Sequence, residues 1–315
     1  MDLSALFFQT LEVTLPVFAM VFIGLGLKRA GWIDTAFVAT ASQLVFRGTM
    51  PVLIFLSIIK ADLSSTLNPG LLGFFALATL GSFLFCWGWA RLRVPFPERG
   101  VYIQGAFRGN CGIVGLALAA GMYGDYGLSA GGLLLGVVIL TYNAFSVVAL
   151  ATYQEGQSAD WRSILSHIAR NPLILAVVAA VPVAALELPL PGWLMTSGEY
   201  FASLTLPLAL ICIGATLSLG AIRASGRLAT SASLLKMVTV PILATTAAWL
   251  VGFQGRELGV MFLFFASPTA AAAFVMAKAM GGNAVLTANI IALTTLMASL
   301  TVTLGAFGLK VAGLI

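Results

Sequence analysis

Charged residues are scarce in this chain of 315 residues. Asp, Glu, Lys and Arg make up 9% of it and hydrophobic residues 60%, whereas soluble domains carry about 25% and about 45–50%. With 16 Lys and Arg and 11 Asp and Glu, the charges are too few to solvate the surface of a soluble protein of this size. The composition therefore indicates an integral membrane protein. In a membrane protein the basic residues chiefly report orientation, so the net charge of +5 says little about nucleic acid, and we expect no nucleic-acid partner.

Histidine and cysteine are scarce as well. The single histidine, His167, and the cysteines Cys86, Cys111 and Cys212 show no metal-binding spacing. Ser129 lies in a G-x-S-x-G pattern, which marks a nucleophile only where a histidine and an acid are within reach. Ser129 opens a predicted membrane helix on the outer side, whereas His167 lies in a predicted cytoplasmic loop. We therefore predict no metal, no cofactor and no enzymatic activity.

Long apolar runs dominate the rest of the sequence. A helix needs about 20 mostly apolar residues to cross a membrane, whereas the strands of membrane barrels alternate in polarity over about 10 residues. The runs here are continuous and longer than such strands, so the sequence predicts an all-α polytopic membrane protein with ten transmembrane helices. We name these helices spans 1 to 10, and they cover residues 5–27, 35–59, 68–90, 99–122, 127–152, 171–188, 197–220, 228–252, 257–279 and 284–310.

The basic residues of the loops are distributed unequally. One side carries three of them, Lys60, Arg256 and Lys310. Because cytoplasmic loops are rich in Lys and Arg, we expect both termini outside the cytoplasm, in the inner membrane of a bacterium. The other side carries ten: Lys28, Arg29, Arg91, Arg93, Arg99, Arg162, Arg170, Arg223, Arg227 and Lys278.

Three landmarks recur at a nearly constant offset along the chain. Each half, 1–152 and 171–315, holds five predicted spans, so the second half would be inverted relative to the first. Inverted repeats are typical of secondary transporters. The linker 153–170 has apolar residues at helical spacing, which predicts a short amphipathic helix on the inner membrane surface. The recurring pairs are Pro16 and Pro172 (156 apart), Pro51 and Pro207 (156 apart), and Gly124-Asp125 and Gly282-Asn283 (158 apart).

Span 4 contains an arginine at its middle. Arg108 lies among four glycines between Gly105 and Gly115, which weakens the helix there. Close packing of helices explains glycines, but it does not explain a charge that is expensive inside a membrane. We predict a broken helix whose second half begins at a cap formed by the Asn110 side chain. Its first N–H groups and the Arg108 fork would together hold a carboxylate.

The repeat predicts a second break, in span 9. Pro268 lies 158 residues after Asn110, between Ser267 and Thr269, and a proline interrupts the helix that precedes it. Two broken helices at matching positions indicate a binding site near the middle of the membrane. The predicted substrate-binding residues are Arg108, Gly109, Asn110, Cys111, Asn143, Ser267, Pro268 and Thr269.

Two further cations, Arg47 and Lys236, lie inside predicted spans. We expect Arg47 to be buried, with a freed carbonyl, a lipid phosphate or a substrate as its partner. Lys236 lies five residues before Pro241. It could be a member of a structural ion pair, or a proton or cation surrogate at a coupling site.

The sequence resembles the auxin efflux carrier family, which includes plant auxin exporters and bacterial permease-like proteins for malate and malonate. The resemblance extends over nearly the whole chain. The residues that carry it are Arg108-Gly109-Asn110, Gly115-Leu116, Tyr123-Gly124, Asn171-Pro172-Leu173-Ile174, Leu206-Pro207, Ile213-Gly214-Ala215-Thr216-Leu217, Ala266-Ser267-Pro268-Thr269-Ala270 and Leu293-Thr294-Thr295-Leu296.

The resemblance implies a fold like that of bile-acid sodium symporters. Spans 1, 2, 6 and 7 would form a scaffold, and spans 3–5 and 8–10 a moving transport domain in which spans 4 and 9 cross at their breaks. It also implies an elevator-like cycle and a homodimer. The family commonly has Leu-Pro in span 4 where this chain has Leu116-Ala117, so we expect a gentler break there.

The function expected on these grounds is secondary active transport of a small organic anion, a mono- or dicarboxylate. The alternative is a membrane ligand sensor that keeps the transporter fold without transporting. The direction of transport, and coupling to H⁺ or Na⁺, stay open at this point.

Overall fold

The computed structural model describes residues 3–60, 68–153, 169–223 and 226–315. The long elements in these ranges are all helices, as the apolar runs predict. Seven of the helices are long and apolar enough to cross a membrane. The chain is therefore a polytopic membrane protein. The amphipathic helix predicted in the linker 153–170 falls largely outside the described residues.

Span 2 contains a wider turn at its middle. In the π-helical turn Val45–Thr49, the N–H of Met50 bonds to the carbonyl of Val45. The wider turn accommodates Pro51, whose ring would collide with the carbonyl four residues earlier in a regular α-helix. The first three spans are the helices Leu3–Arg29, Thr35–Lys60 (as Thr35–Leu44 and Met50–Lys60 on either side of the wide turn) and Pro69–Arg93.

Spans 4 and 5 are joined. Span 4 begins as the helix Arg99–Phe107 and resumes at Cys111. Its second half and span 5 are two helices that meet at a sharp bend at Gly124, and span 5 ends at Tyr153. Gly124 has φ 56° and ψ −133°, a conformation that favours a residue without a side chain. The bend therefore falls on the glycine that the repeat had marked as the end of span 4.

Apart from span 10, the second half of the chain is built from shorter helices. A second π-helical turn, Leu235–Thr239, precedes Pro241 in span 8, as in span 2. The helices are Pro172–Ala185 in span 6, Gly192–Ser203 and Thr205–Thr216 in span 7, the short Leu219–Arg223, Arg227–Leu234 and Val240–Val251 in span 8, Gly255–Phe265 and Ala272–Ala279 in span 9, and Ala284–Val311 in span 10.

The helix lengths explain why fewer than ten helices meet the requirement for crossing a membrane. Span 6 has 14 residues, and spans 4 and 9 are each divided by a break into shorter pieces. The sequence could not reveal these lengths, because its apolar runs continue through the bends and breaks. The arrangement of ten spans as an inverted repeat stays a prediction.

Spans 1 and 7 pack backbone to backbone. A Cβ atom on Gly24 would lie 2.1 Å from the carbonyl oxygen of Ile211, and one on Gly214 would lie 1.7 Å from that of Val21. Small residues allow helices to approach this closely in a membrane. The second half of span 2 packs against span 6. Four spans, 1, 2, 6 and 7, are thus joined by these pairwise contacts.

The first halves of spans 4 and 9 lie in the protein core. Residues 100–107 and 258–265 are all buried, and spans 3, 5, 8 and 10 pack around them. Span 10 also contacts span 1, where the hydroxyls of Thr14 and Thr303 are 2.9 Å apart. The two helix breaks are therefore held at the centre of the molecule.

Candidate functional site

Both predicted breaks are present in the structure. Arg108 follows the helix of span 4 with extended backbone (φ −80°, ψ 107°), and helical structure resumes at Cys111. The helix of span 9 ends at Phe265 and resumes at Ala272. Pro268 has no N–H, so it cannot bond to the carbonyl of Phe264 as a helix would require.

The two breaks pair with each other through their backbones. The N–H of Asn110 donates to the carbonyl of Pro268 (2.6 Å), and the N–H of Ala270 donates to the carbonyl of Arg108 (3.2 Å). Gly109 and Thr269 form an antiparallel bridge between these bonds. Buried backbone groups need partners, and here each break supplies partners to the other.

Ser267 and Thr269 hold this crossing together from within. The Thr269 hydroxyl donates to the carbonyl of Gly105 (2.8 Å), and its N–H donates to Oγ1 of Thr294 (3.1 Å). The Ser267 hydroxyl donates to the carbonyl of Phe264. Ser267 and Thr269 are 0% and 1% exposed. They and Pro268 were predicted as one wall of the site, but the cavity beside the breaks is lined by the three residues that follow, Ala270, Ala271 and Ala272.

A cavity of about 380 Å³ lies between the breaks and spans 2, 5, 6 and 7. This volume is within the range of small-molecule sites. Its polar end brings together five of the predicted residues, Arg108, Gly109, Asn110, Cys111 and Asn143. Much of the remaining wall is apolar, formed by Val45, Phe46, Met50, Leu135, Val138, Ile139, Leu173, Ala209 and Ile213.

The Asn110 side chain is available to a ligand. The prediction that it caps the second half of span 4 is wrong, because the side chain makes no capping hydrogen bond. The backbone carbonyl of Asn110 fills that role and accepts from the N–H groups of Val114 (3.0 Å) and Gly115 (3.2 Å). Within the described ranges, its half-buried amide has no hydrogen-bond partner and faces the cavity.

Two helix N-termini also reach the cavity. Gly112 and Ile113 belong to the first turn after the span 4 break, and Ala271 and Ala272 begin the second half of span 9. The first N–H groups of a helix lack partners within it and carry a partial positive charge. Such ends are suited to anions.

The Arg108 guanidinium is turned toward span 5. Nη1 donates to Oγ of Ser146 (3.0 Å), to the carbonyl of Tyr142 (3.3 Å) and to Sδ of Met276 (3.0 Å), and Nη2 donates to Oδ1 of Asn143 (3.0 Å). Nε is buried without a partner. No carboxylate of the described residues pairs with this guanidinium. Its charge therefore stays uncompensated by the parts of the protein described here.

The bond to Arg108 orients the amide of Asn143. Because Oδ1 accepts from Nη2, the NH₂ group of this amide is left for the cavity, which Asn143 lines. An Asn side chain offers two donors at that end. Arg108 thus affects this end of the cavity in two ways, through its charge and through the orientation of Asn143.

The other two intramembrane cations lie outside the cavity wall. Lys236 is fully buried, and its Nζ donates to the carbonyl of Phe265 at 2.6 Å. Arg47 is exposed, so the expectation that it is buried is wrong. Leu44, three residues before it, is also exposed, because this face of span 2 lies on the outer surface of the chain.

Sequence reasoning missed the residues that hold Arg108. Tyr142 and Ser146 are four residues apart on one helix face of span 5, and Met276 lies in span 9. One feature of the sequence pointed to them: Asn143, already a predicted site residue, lies between Tyr142 and Ser146 in span 5. The contacts of Arg108 join residues that are 34 to 168 positions apart in the chain, so they leave no local pattern in the sequence.

An all-helical membrane protein in which two broken helices meet beside a cavity has the architecture of a transporter. Residues 10–305 match the family described as membrane transport protein, so the chain belongs to this family of auxin-efflux-type transporters. It is 26% identical over 304 residues to "Uncharacterized transporter MJ1031" of Methanocaldococcus jannaschii, covering 93% of this chain and 97% of that protein. It is also 26% identical over 275 residues to "Uncharacterized transporter" of Methanothermobacter thermautotrophicus, covering 86% and 89%. These likenesses indicate a membrane transporter and not an enzyme.

Proposed function

We propose that this protein is a secondary active transporter of a small organic anion, a mono- or dicarboxylate, which binds in the cavity beside the two breaks. The observation that carries the proposal is the buried guanidinium of Arg108. It is 7% exposed, it lines the cavity, and no carboxylate of the described residues pairs with it. A buried charge without a counter-ion is strongly unfavourable. An anion in the cavity would supply the missing negative charge.

The neutral donors at the same end support a carboxylate. The amide of Asn110, the NH₂ group of Asn143 and the first N–H groups after both breaks surround one end of the cavity. Hydrogen bonds to an ionised group contribute about 1.5–3 kcal/mol each. In this proposal the carboxylate contacts these donors, and Arg108 adds its charge from behind Asn143.

The apolar walls accommodate the body of the substrate. Val45, Met50 and Ile213 come from spans 2 and 7, opposite the polar end. A monocarboxylate would fit with its apolar part between these side chains. A dicarboxylate would place its second carboxylate near the other polar residues of the lining, Ser42, Asn171 and Thr216.

The position of the cavity supports an elevator-like cycle. It lies between spans 2, 6 and 7, which belong to the proposed scaffold of spans 1, 2, 6 and 7, and spans 4, 5 and 9, which belong to the proposed transport domain of spans 3–5 and 8–10. Its lining residues Ser42, Asn171 and Thr216 lie near the ends of spans 2, 6 and 7 on the side with ten basic residues. In this state the site would open to the cytoplasm, and movement of spans 4, 5 and 9 would carry it across.

The membrane arrangement in this proposal follows the charge distribution and the family. The chain spans a bacterial inner membrane with both termini outside the cytoplasm, as two inverted repeats of five spans. The scaffold joins two copies into a homodimer, surrounded by lipid. Labelling of single cysteines near residues 4 and 315 from either side of the membrane tests the orientation. Labelling of either position from the cytoplasm would overturn it.

The function is tested by binding and uptake together. The purified protein is screened by thermal shift against mono- and dicarboxylates, because a ligand of the folded state raises the melting temperature. Asn110→Ala and Asn143→Ala are compared with Thr141→Ala, a change on span 5 outside the cavity lining. We expect the first two to lose the shift and Thr141→Ala to keep it.

Uptake of the hit into liposomes then separates a transporter from a sensor. A transporter accumulates labelled anion and a sensor binds it without uptake. Failure of every anion to bind wild type, with folding intact, would contradict the proposal.

A further inference from the structure

Lys236 is a buried ammonium group at the point where the two breaks cross. It projects from the π-helical turn of span 8 and is 0% exposed. Its Nζ donates to the carbonyl of Phe265, the last residue of the first helix of span 9, at 2.6 Å. In the described part of the chain no carboxylate pairs with it. The predicted alternative of a structural ion pair therefore finds no partner here.

The break in span 9 frees the carbonyl that Lys236 contacts. In a continuous helix the carbonyl of Phe265 would accept from the N–H of Thr269, but that N–H donates to Thr294. The carbonyl of Phe264 would need the N–H that Pro268 lacks, and it accepts from Ser267 and from Sγ of Cys111 (3.3 Å) instead. Two carbonyls at the negative end of a helix thus face the crossing.

Carbonyls of this kind form sites for small cations. In transporters with broken helices, unwound carbonyls and the C-terminal ends of half-helices coordinate the coupling cation. Here the ammonium group occupies that position. A Cβ atom on Gly109 would lie 3.2 Å from Nζ of Lys236 and 3.0 Å from Oγ of Ser267. Lys236 therefore touches the backbone of the span 4 break as well as that of span 9.

We propose that Lys236 is a tethered cation that fills the crossing in place of a free Na⁺ or K⁺ ion. The crossing then binds no metal cation, and transport does not depend on Na⁺ through this position. The proposal rests on the proposed transport function only where it concerns coupling; the occupancy of the crossing can be measured without any substrate.

The alternative is a lysine that merely fills space and donates one hydrogen bond. The two roles differ when the side chain is shortened. If the crossing is a cation site, Lys236→Ala leaves oxygen ligands and an empty volume that a small cation can enter. If Lys236 only fills space, Lys236→Ala is destabilised in the same way whichever cation is present.

The experiment measures the melting temperature of the purified protein with the bulky cation N-methylglucamine replaced stepwise by Na⁺, K⁺, ammonium or methylammonium at constant ionic strength. The variants are wild type, Lys236→Ala, Lys236→Met, which keeps the length without the charge, and Lys278→Ala, which removes an exposed lysine. We expect wild type and Lys278→Ala to respond alike, with no saturating rise for any cation.

Lys236→Ala should melt lower, and at least one small cation should raise its melting temperature saturably, by about 2 °C or more. Lys236→Met should also melt lower than wild type, and no cation should raise its melting temperature, because the Met side chain fills the space that a cation would enter. A saturating rise of wild type with Na⁺ or K⁺ would overturn the proposal. So would a folded Lys236→Ala protein that responds to no cation. If Lys236→Ala does not fold, Lys236→Ser replaces it in the same titration, with the same two outcomes.

Discussion

The breaks of spans 4 and 9 have matching positions but different surroundings. The break in span 4 borders the cavity with Arg108, Gly109 and Asn110, and the Asn110 amide has no partner in the described ranges. The break in span 9 is buried at Ser267 and Thr269, whose side chains all bond within the protein. In the proposed function, the break in span 4 contacts the ligand and the break in span 9 keeps the pair assembled. The predictions below separate these two roles.

The largest effect on binding is expected at Arg108. Arg108→Ala removes the charge at the cavity and releases the amide of Asn143. Loss of a buried charged partner costs about 2–5 kcal/mol, which is a loss of tens to thousands in affinity. Arg108→Lys keeps the charge but not the planar fork, so it should weaken binding less. Titration with the anion found by screening measures the affinity of each variant relative to wild type. Equal affinity in wild type and Arg108→Ala would show that Arg108 does not belong to the site.

A smaller loss is expected for Asn110→Ala. The variant removes one hydrogen bond to a charged ligand, so affinity should fall by about 1.5–3 kcal/mol, roughly ten- to hundredfold. The melting temperature without ligand should stay near that of wild type, because the side chain has no partner within the described ranges. The melting temperature of the variant is measured without ligand. A large drop relative to wild type would show that Asn110 has a structural role.

The opposite result is expected for Thr269→Val. The variant removes the hydroxyl that donates to the carbonyl of Gly105 and leaves this buried carbonyl without it. Such a loss should lower the free energy of unfolding by about 1–3 kcal/mol, seen as a lower melting temperature. Affinity per folded molecule should change less than threefold. A tenfold loss of affinity with an unchanged melt would place Thr269 in the binding site.

Ser146→Ala should have a smaller effect on binding than Arg108→Ala and Asn110→Ala. It removes one of the three acceptors of Nη1 and leaves the bond between Nη2 and Asn143 in place. Affinity should fall by about 0.5–1.5 kcal/mol, up to roughly tenfold. Both variants are titrated with the same anion. If Ser146→Ala weakens binding as much as Arg108→Ala, Arg108 acts mainly through its hydrogen bonds to span 5.

Sequence reasoning found the positions of the two breaks. The glycines around Arg108 and the single Pro268 weaken a helix wherever they occur, so these signals are local. The repeat offset of 158 between Asn110 and Pro268 also anticipated that these residues meet, as the bond between their backbones records. Local chemistry and chain symmetry were sufficient for this part of the site.

The side-chain directions could not be predicted. Helical periodicity does not apply inside an extended break, so nothing in the sequence indicated that Ser267 and Thr269 turn inward while the Asn110 amide faces the cavity. The exposure of Arg47 depends on which face of span 2 the other helices cover. The role of Arg108 in orienting Asn143 depends on the distance between spans 4 and 5.

The central claim, that the span 4 break binds the anion and the span 9 break supports it, is tested most directly by one comparison. The dissociation constant of the anion is measured for Asn110→Ala and for Thr269→Val in the same detergent, each relative to wild type. We predict at least about a tenfold rise for Asn110→Ala and less than about a threefold change for Thr269→Val. Equal rises in both variants, or a rise in Thr269→Val alone, would contradict the claim.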